Sequence, residues 1–94
     1  MLIRIVKLHF KPENIASFER IFEASKSGIL AFGGCSKVEL YQDLSDPGTF
    51  FTYSHWEGEA ALEAYRASPF FRDVWGNTKK LFDQRAQAWS VKEI

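Results

Sequence analysis

The sequence predicts a small α+β domain, a ferredoxin-like split βαβ sandwich with an antiparallel sheet, on three observations. Four segments have the β-branched and aromatic composition and the alternation expected of strands. Two stretches between them place apolar residues at helical spacing, and a chain of 94 residues leaves room for one domain only. The predicted order is strand, helix, strand, strand, broken helix, strand, with all helices on one face of the sheet.

The first strand is predicted over residues 2–10, where apolar side chains alternate with basic ones. The first helix is predicted over residues 12–32. It begins with Pro12, because the fixed backbone angle of proline suits the first turn of a helix. It ends at Gly33 and Gly34, which interrupt the helical spacing of apolar residues.

The next two strands are predicted as an antiparallel hairpin over residues 37–43 and 50–56. The intervening Ser-Asp-Pro-Gly sequence at residues 45–48 has the composition of a tight turn. Two strands joined by so short a loop must run in opposite directions.

The second helical region is predicted in two parts. Residues 57–66 are good helix formers with acidic side chains in the first turn, where the helix dipole favours them. Ser68 and Pro69 then restart the helix, since serine caps a helix and proline fits its first position. A last strand is predicted over residues 86–91. One face of the restarted helix carries Phe71, Val74, Trp75, Thr78 and Phe82.

Composition excludes several classes of protein. Twelve basic and twelve acidic side chains give a net charge of +0, which predicts neither a nucleic-acid partner nor a membrane partner. The single cysteine, Cys35, with only His9 and His55 besides, predicts no disulfide and no structural metal site. No stretch is apolar enough for a membrane span or a cleaved leader, so we expect a cytoplasmic protein.

The third strand indicates that both faces of the sheet are covered. Phe51 and Tyr53 lie on one parity of this strand, and Phe50 and Trp56 lie on the other. Because the helices cover only one face, the second face needs another apolar surface. The sequence therefore predicts a homodimer in which two sheets pack face to face.

Several segments, taken together, resemble the antibiotic biosynthesis monooxygenase family. They are residues 3–12, the Gly34-Cys35 pair, the run 51–57 that ends in a tryptophan and an acidic residue, the Ala-Leu-rich stretch 60–65, and Ser-Pro-Phe-Phe at 68–71. The resemblance covers nearly the whole chain, and most of these positions are structural. It implies a dimeric α/β barrel with an apolar pocket between the sheet and the helices of each subunit.

The resemblance also implies a chemistry. Better-known members of the family oxygenate aromatic polyketides or quinols with molecular oxygen and without flavin, haem or metal, while other relatives degrade haem or isomerise small signalling sugars. We therefore expect a cofactor-independent monooxygenase of an aromatic polyketide-like or quinol substrate. Such a pocket must bind a flat apolar molecule, assist its deprotonation, stabilise the anion and exclude water.

Seven residues are candidates for that site. His55, Trp75 and Asn77 are the catalytic candidates: a proton acceptor at a strand end, an aromatic wall and an amide donor. Phe71 is a further substrate-binding candidate, together with Tyr65, Tyr53 and Arg66, the last as an anion clamp for a phenolate. Each also has a structural interpretation, as core packing, a surface histidine, a helix irregularity or an exposed cation.

Three other interpretations stay open. A dimer that binds an apolar metabolite without turnover fits the absence of a clear acid–base pair. Haem degradation is disfavoured, because the resemblance places Trp75 where such relatives carry an axial histidine and Tyr65 where they carry a tryptophan. An RNA-recognition module is disfavoured by the balanced charge. His9 shares the parity of Lys7, which predicts a position at an interface or in a barrel lumen.

Overall fold

A computed structural model of residues Met1–Ile94 has seven elements of secondary structure. They follow the predicted order, with the second helical region divided in two. The strands are β1 (Leu2–His9), β2 (Cys35–Gln42), β3 (Thr49–Trp56) and β4 (Gln87–Val91), and the helices are α1 (Pro12–Leu30), α2 (Glu59–Arg66) and α3 (Pro69–Lys79).

The four strands form one antiparallel sheet in the order β2-β3-β1-β4. The long crossover through α1 allows β1 to lie beside β3 and β4 instead of β2, which is the split βαβ arrangement. In the register, Ile5 lies opposite Tyr53 on β3 and Trp89 on β4. The predicted ferredoxin-like α+β fold is confirmed.

The core lies between the helices and one face of this sheet. Phe10 and Phe50 pack against Phe18 of α1, with ring centroids 4.3 Å and 5.2 Å away. At the other end of the sheet, Trp56 is only 1% exposed and stacks on Tyr65 of α2 at 5.0 Å. Aromatic rings thus fasten both ends of the helical layer to the sheet, because each buries a large apolar area.

The break between α2 and α3 follows from Ser68. Its hydroxyl accepts a hydrogen bond from the Phe71 amide at 3.1 Å and donates one to the Tyr65 carbonyl at 2.6 Å. One side chain therefore satisfies the end of one helix and the beginning of the next, and Pro69 occupies the first position of α3. The predicted restart is confirmed.

Helix α1 ends at Leu30, two residues before its predicted end, and β2 begins at Cys35, two residues before its predicted start. The reason is Gly34, whose φ of +89° favours glycine and turns the chain directly into the sheet. The Glu57 amide donates to the Gly34 carbonyl at 2.8 Å and fixes this turn beside β3. No helix of the chain combines the length and apolar character needed to cross a membrane.

His9 is held by two carboxylates of the same chain. Its Nδ1 atom is 2.6 Å from Asp83 Oδ1, and its Nε2 atom is 3.1 Å from Asp46 Oδ2. The ring thereby joins the end of β1 to the β2–β3 loop and to the segment after α3. Backbone hydrogen bonds from Phe10 to Gly48 and from Asp83 to His9 reinforce the same junction.

This junction has an electrostatic consequence. The hydrogen bond to Asp83 and the charges of Asp83 and Asp46 raise the pKa of His9 above its usual 6.5, against a smaller opposing effect of desolvation. Protonated His9 therefore stabilises the folded chain. The stabilisation is complete below about pH 6.5 and is lost as the pH rises through the raised pKa of the folded state.

We expect His9→Gln to lower the midpoint of urea unfolding more at about pH 6 than at about pH 8.5, because only the protonated ring pairs with both carboxylates. Asp83→Asn removes the stronger partner and is expected to reduce the same pH dependence. Equal destabilisation by His9→Gln at both pH values would contradict this assignment.

Candidate functional site

A cavity of about 320 Å³ lies between the helices and the sheet. This volume is at the small end of the range for small-molecule sites and suits an aromatic molecule of two or three fused rings. Fourteen of its twenty lining residues are hydrophobic. The lining comes from β1, β2 and β3 (Arg4, Val6, Leu8, Val38, Thr52, Ser54), α1 (Phe18, Ile21, Phe22, Ser25, Ile29), α2 (Leu62, Tyr65, Arg66), α3 (Phe71, Val74, Trp75, Thr78) and the last segment (Ala86, Ala88).

The floor of the cavity changes from polar to apolar along β1. Arg4 lies opposite Ser54 on one side and Ser90 on the other. Two residues further, Val6 lies opposite Thr52 and Ala88, and two residues further again Leu8 lies opposite Phe50. Because alternate residues of a strand face the same side, the three rows form one surface with a polar and an apolar end.

The wall opposite the floor is aromatic. Phe71 and Trp75, one helical turn apart on α3, are parallel within 9° with ring centroids 5.9 Å apart. Tyr65 meets Phe71 edge to face at 5.0 Å. Burial, with a smaller contribution from Cys35, raises the pKa of Tyr65 to about 12, so the hydroxyl keeps its proton and can donate a hydrogen bond.

Two other hydroxyls of the lining form hydrogen bonds to backbone carbonyls of their own helices. Ser25 donates to the Ile21 carbonyl at 2.6 Å, and Thr78 donates to the Val74 carbonyl at 2.8 Å. These bonds satisfy hydroxyls that face an apolar cavity. The polar groups that remain free to bind a ligand therefore lie at the polar end of the cavity floor, on the strands and on α2.

Two arginines, Arg4 and Arg66, give that end a positive charge, and we call it the basic end. Arg66 forms an exposed ion pair with Glu63 at 3.0 Å. Arg4 is half-buried and donates to the Ser90 hydroxyl at 2.9 Å. Burial lowers the pKa of Arg4, and the nearby charge of Arg66 lowers it further against the weaker opposite effect of Glu63. An arginine guanidinium carries a positive charge at neutral pH.

Four of the seven sequence-predicted residues line this cavity, namely Tyr65, Arg66, Phe71 and Trp75. Asn77 is exposed on α3 and does not line it, because it follows Trp75 by two residues and so lies on the far side of the helix.

Tyr53 and His55 lie on the opposite face of the sheet from the cavity. They share the parity of Phe51, and their rings contact each other at 5.0 Å. His55 Nδ1 lies 3.1 Å from the Met1 sulfur, and its Nε2 atom is buried without a partner. In these positions neither residue contacts a molecule held between the sheet and the helices.

Sequence reasoning missed Arg4 as a site residue. The available signal was its parity: Arg4, Val6 and Leu8 lie on the same side of β1, and the apolar pair marks that side as the one under the helices.

The lining can bind and stabilise an anion, but it holds no side chain that ordinarily accepts a proton at neutral pH. It contains no carboxylate, histidine, lysine or cysteine. The lining has five side chains that can donate hydrogen bonds to a ligand: Arg4, Arg66, Tyr65, Thr52 and Ser54. No three histidine, cysteine or acidic side chains lie close enough together anywhere in the chain to hold a metal ion.

Comparison with known proteins identifies the family. The sequence model for antibiotic biosynthesis monooxygenases matches residues 1–75 of the 94. The chain belongs to this family. An isomerase of Yersinia enterocolitica named for (4S)-4-hydroxy-5-phosphonooxypentane-2,3-dione is 28% identical over 71 residues, covering 76% of this chain and 74% of that protein.

Two solved structures share the fold. A crystal structure of an antibiotic biosynthesis monooxygenase superposes with a TM-score of 0.92 at 22% identity, covering 100% of this chain and 99% of the other. A conserved protein of Methanosarcina mazei Go1 gives the same TM-score and identity, covering 100% of this chain and 94% of the other. At these identities the likeness shows the fold alone.

Proposed function

We propose that the protein is a monooxygenase that oxidises a small phenol-, anthrone- or quinol-type substrate with molecular oxygen inside the cavity. The observation that carries the proposal is the combination, in one cavity, of aromatic walls with a basic end. Flat apolar molecules fit such walls, and the guanidinium groups favour the ionised form of an acidic phenol or anthrone.

The reacting electrons come from the substrate. An anthrone that has lost a proton is an electron-rich anion that can pass one electron to oxygen, and the resulting radical pair combines at carbon. Loss of water then leaves a carbonyl. One methylene group and one O2 molecule give one carbonyl group and one water molecule, so atoms and electrons balance without a further reductant.

The chain's own residues contribute binding and electrostatics. Trp75 and Phe71 hold the ring system, and the Tyr65 hydroxyl and Arg66 donate to the developing oxyanion. The lining holds no carboxylate, histidine, lysine or cysteine that could accept the substrate's proton. The positive charge of the basic end instead lowers the pKa of the bound substrate, and water at the cavity mouth accepts the proton. The aromatic walls then exclude bulk water from the anion.

An isomerase is the second candidate function, because the Yersinia relative carries that name and its named substrate bears a phosphate that a basic end would suit. Isomerisation of a hydroxyketone moves a proton between two carbons, which requires a group that both accepts and returns it. No carboxylate, histidine or lysine lines the cavity. This absence favours the oxygenase.

Oxygen uptake with dithranol tests the proposal. We expect the purified protein to consume one O2 for each molecule oxidised to the quinone, at a rate above spontaneous oxidation in the same buffer. Arg66→Met is expected to reduce kcat about tenfold to a hundredfold, because it removes a donor to the anion.

Val74→Phe places a ring in the cavity, and we expect it to abolish turnover while the chain stays folded. Leu44→Phe, in the exposed loop between β2 and β3 and outside the cavity, is the matched control and should keep the activity. Saturable binding of dithranol without oxygen uptake would favour the non-catalytic binder, and uptake that survives Val74→Phe would place the reaction elsewhere.

We propose in addition that two copies pack through the sheet face opposite the helices, which we call the open face. Ile3, Ile5, Phe51, Tyr53 and Trp89 lie on it. Trp89 is 44% exposed in a single copy. A second copy is the occupant we favour, because a chain this small buries only 14 of its 94 residues alone and the face also carries oppositely charged Lys37 and Glu39.

Sedimentation equilibrium at micromolar concentration is expected to give a dimer. Trp89→Glu should shift the chain to monomer, because it places a charge in the apolar interface. Leu44→Glu, at a fully exposed loop position, is the matched control and should leave the dimer intact. A monomeric parent chain would contradict the proposal.

A further inference from the structure

The basic end holds a second arginine besides the one to which the proposed oxidation assigns a role. Arg66 has a partner in Glu63 and, with Tyr65, is assigned to the developing oxyanion. Arg4 lies beside Arg66, half-buried, and its side chain is bonded to the neutral hydroxyl of Ser90. A charge in this position is costly unless an anion pairs with it.

The surroundings of Arg4 are built for a charged group with two or more oxygens. Ser54 and Ser90 flank it across the sheet on β3 and β4. The Ser54 hydroxyl accepts a hydrogen bond from Trp56 Nε1 at 2.9 Å, which leaves its own proton for another acceptor. The guanidinium fork of arginine matches the paired oxygens of a carboxylate or phosphate better than the single oxygen of a phenolate.

The apolar end of the floor indicates what the rest of the ligand is. Leu8 and Phe18, at the far end of the same cavity, are both nearly fully buried and offer no polar group. A ligand that fits both the basic end and the apolar end has one permanently anionic substituent and an apolar ring body. The two ends also fix its direction in the cavity.

We propose that the natural ligand is an aromatic acid, bearing a carboxylate or phosphate that Arg4 binds between Ser54 and Ser90. The inference rests on the proposed function for the aromatic body of the ligand, and it adds a specificity-determining residue and the direction of binding. The oxidised part of the ring then lies beside Tyr65 and Trp75, and the apolar remainder of the ring system lies toward Leu8 and Phe18.

Calorimetric titration with matched probes tests this without any turnover. The probes are 2-naphthoate, 2-naphthyl phosphate and the neutral 2-naphthamide, which has the shape of the naphthoate. We expect at least one acid to bind about tenfold to a hundredfold more tightly than the amide. Which acid is preferred distinguishes the carboxylate from the phosphate.

Variants of Arg4 separate charge from packing. Arg4→Met is expected to remove the preference for the acid while leaving affinity for 2-naphthamide unchanged, and Arg4→Lys should restore it only in part, because lysine lacks the fork. Arg20→Met, on the exposed side of α1 outside the cavity, is the matched control and should change neither affinity. Thermal melting of each variant checks that it folds.

Equal affinity of the parent chain for all three probes, or an equal loss of acid and amide binding in Arg4→Met, would overturn the inference. Its failure differs from failure of the oxygenase. Oxygen uptake on neutral anthrones without any preference for acids would leave the oxygenase standing and reject the role of Arg4. Acid preference without oxygen uptake would keep the anion site and reject the oxygenase.

Discussion

The alternation of side chains along β1 and β3, the two central strands, is the constraint on which the rest of the structure depends. Successive residues of a strand point to opposite faces, so the same eight residues of each strand build two different surfaces. The even-numbered residues of both strands lie under the helices, and five of them form the cavity floor, namely Arg4, Val6, Leu8, Thr52 and Ser54. The odd-numbered residues lie on the open face. There Ile5 of β1 lies between Tyr53 of β3 and Trp89 of β4. A shift of one residue in the pairing would exchange the two surfaces.

Position along the strands adds a second constraint, because it decides the polarity of each row. The apolar end is closed by stacked rings around Phe10, and His9 ties the segment after α3 to the same end. The basic end lies near the break between α2 and α3, where Arg66 ends one helix and Ser68 caps the next. The junctions that hold the helices in place thus also set which end of the cavity carries charge.

Much of the fold could be predicted from the sequence, because the signals are local. Pro12, Ser68 and Gly34 mark where helices start or stop. The site was harder, since it depends on which parity meets the helices. His55 was placed at the pocket because it ends a strand, whereas its parity puts it on the open face. The carboxylates that hold His9 lie 37 and 74 residues away along the chain, a distance that no local pattern spans.

The central claim is that the ligand lies under the helices, with its charged group at Arg4 and its ring toward Phe18. A crystal structure with 6-bromo-2-naphthoate tests it most directly, because anomalous scattering locates the bromine independently of the rest of the ligand. We expect the bromine beside Leu8 and Phe18 and the carboxylate at the Arg4 guanidinium. A bromine on the open face near Trp89, or at the Arg4 end of the cavity, would contradict the claim.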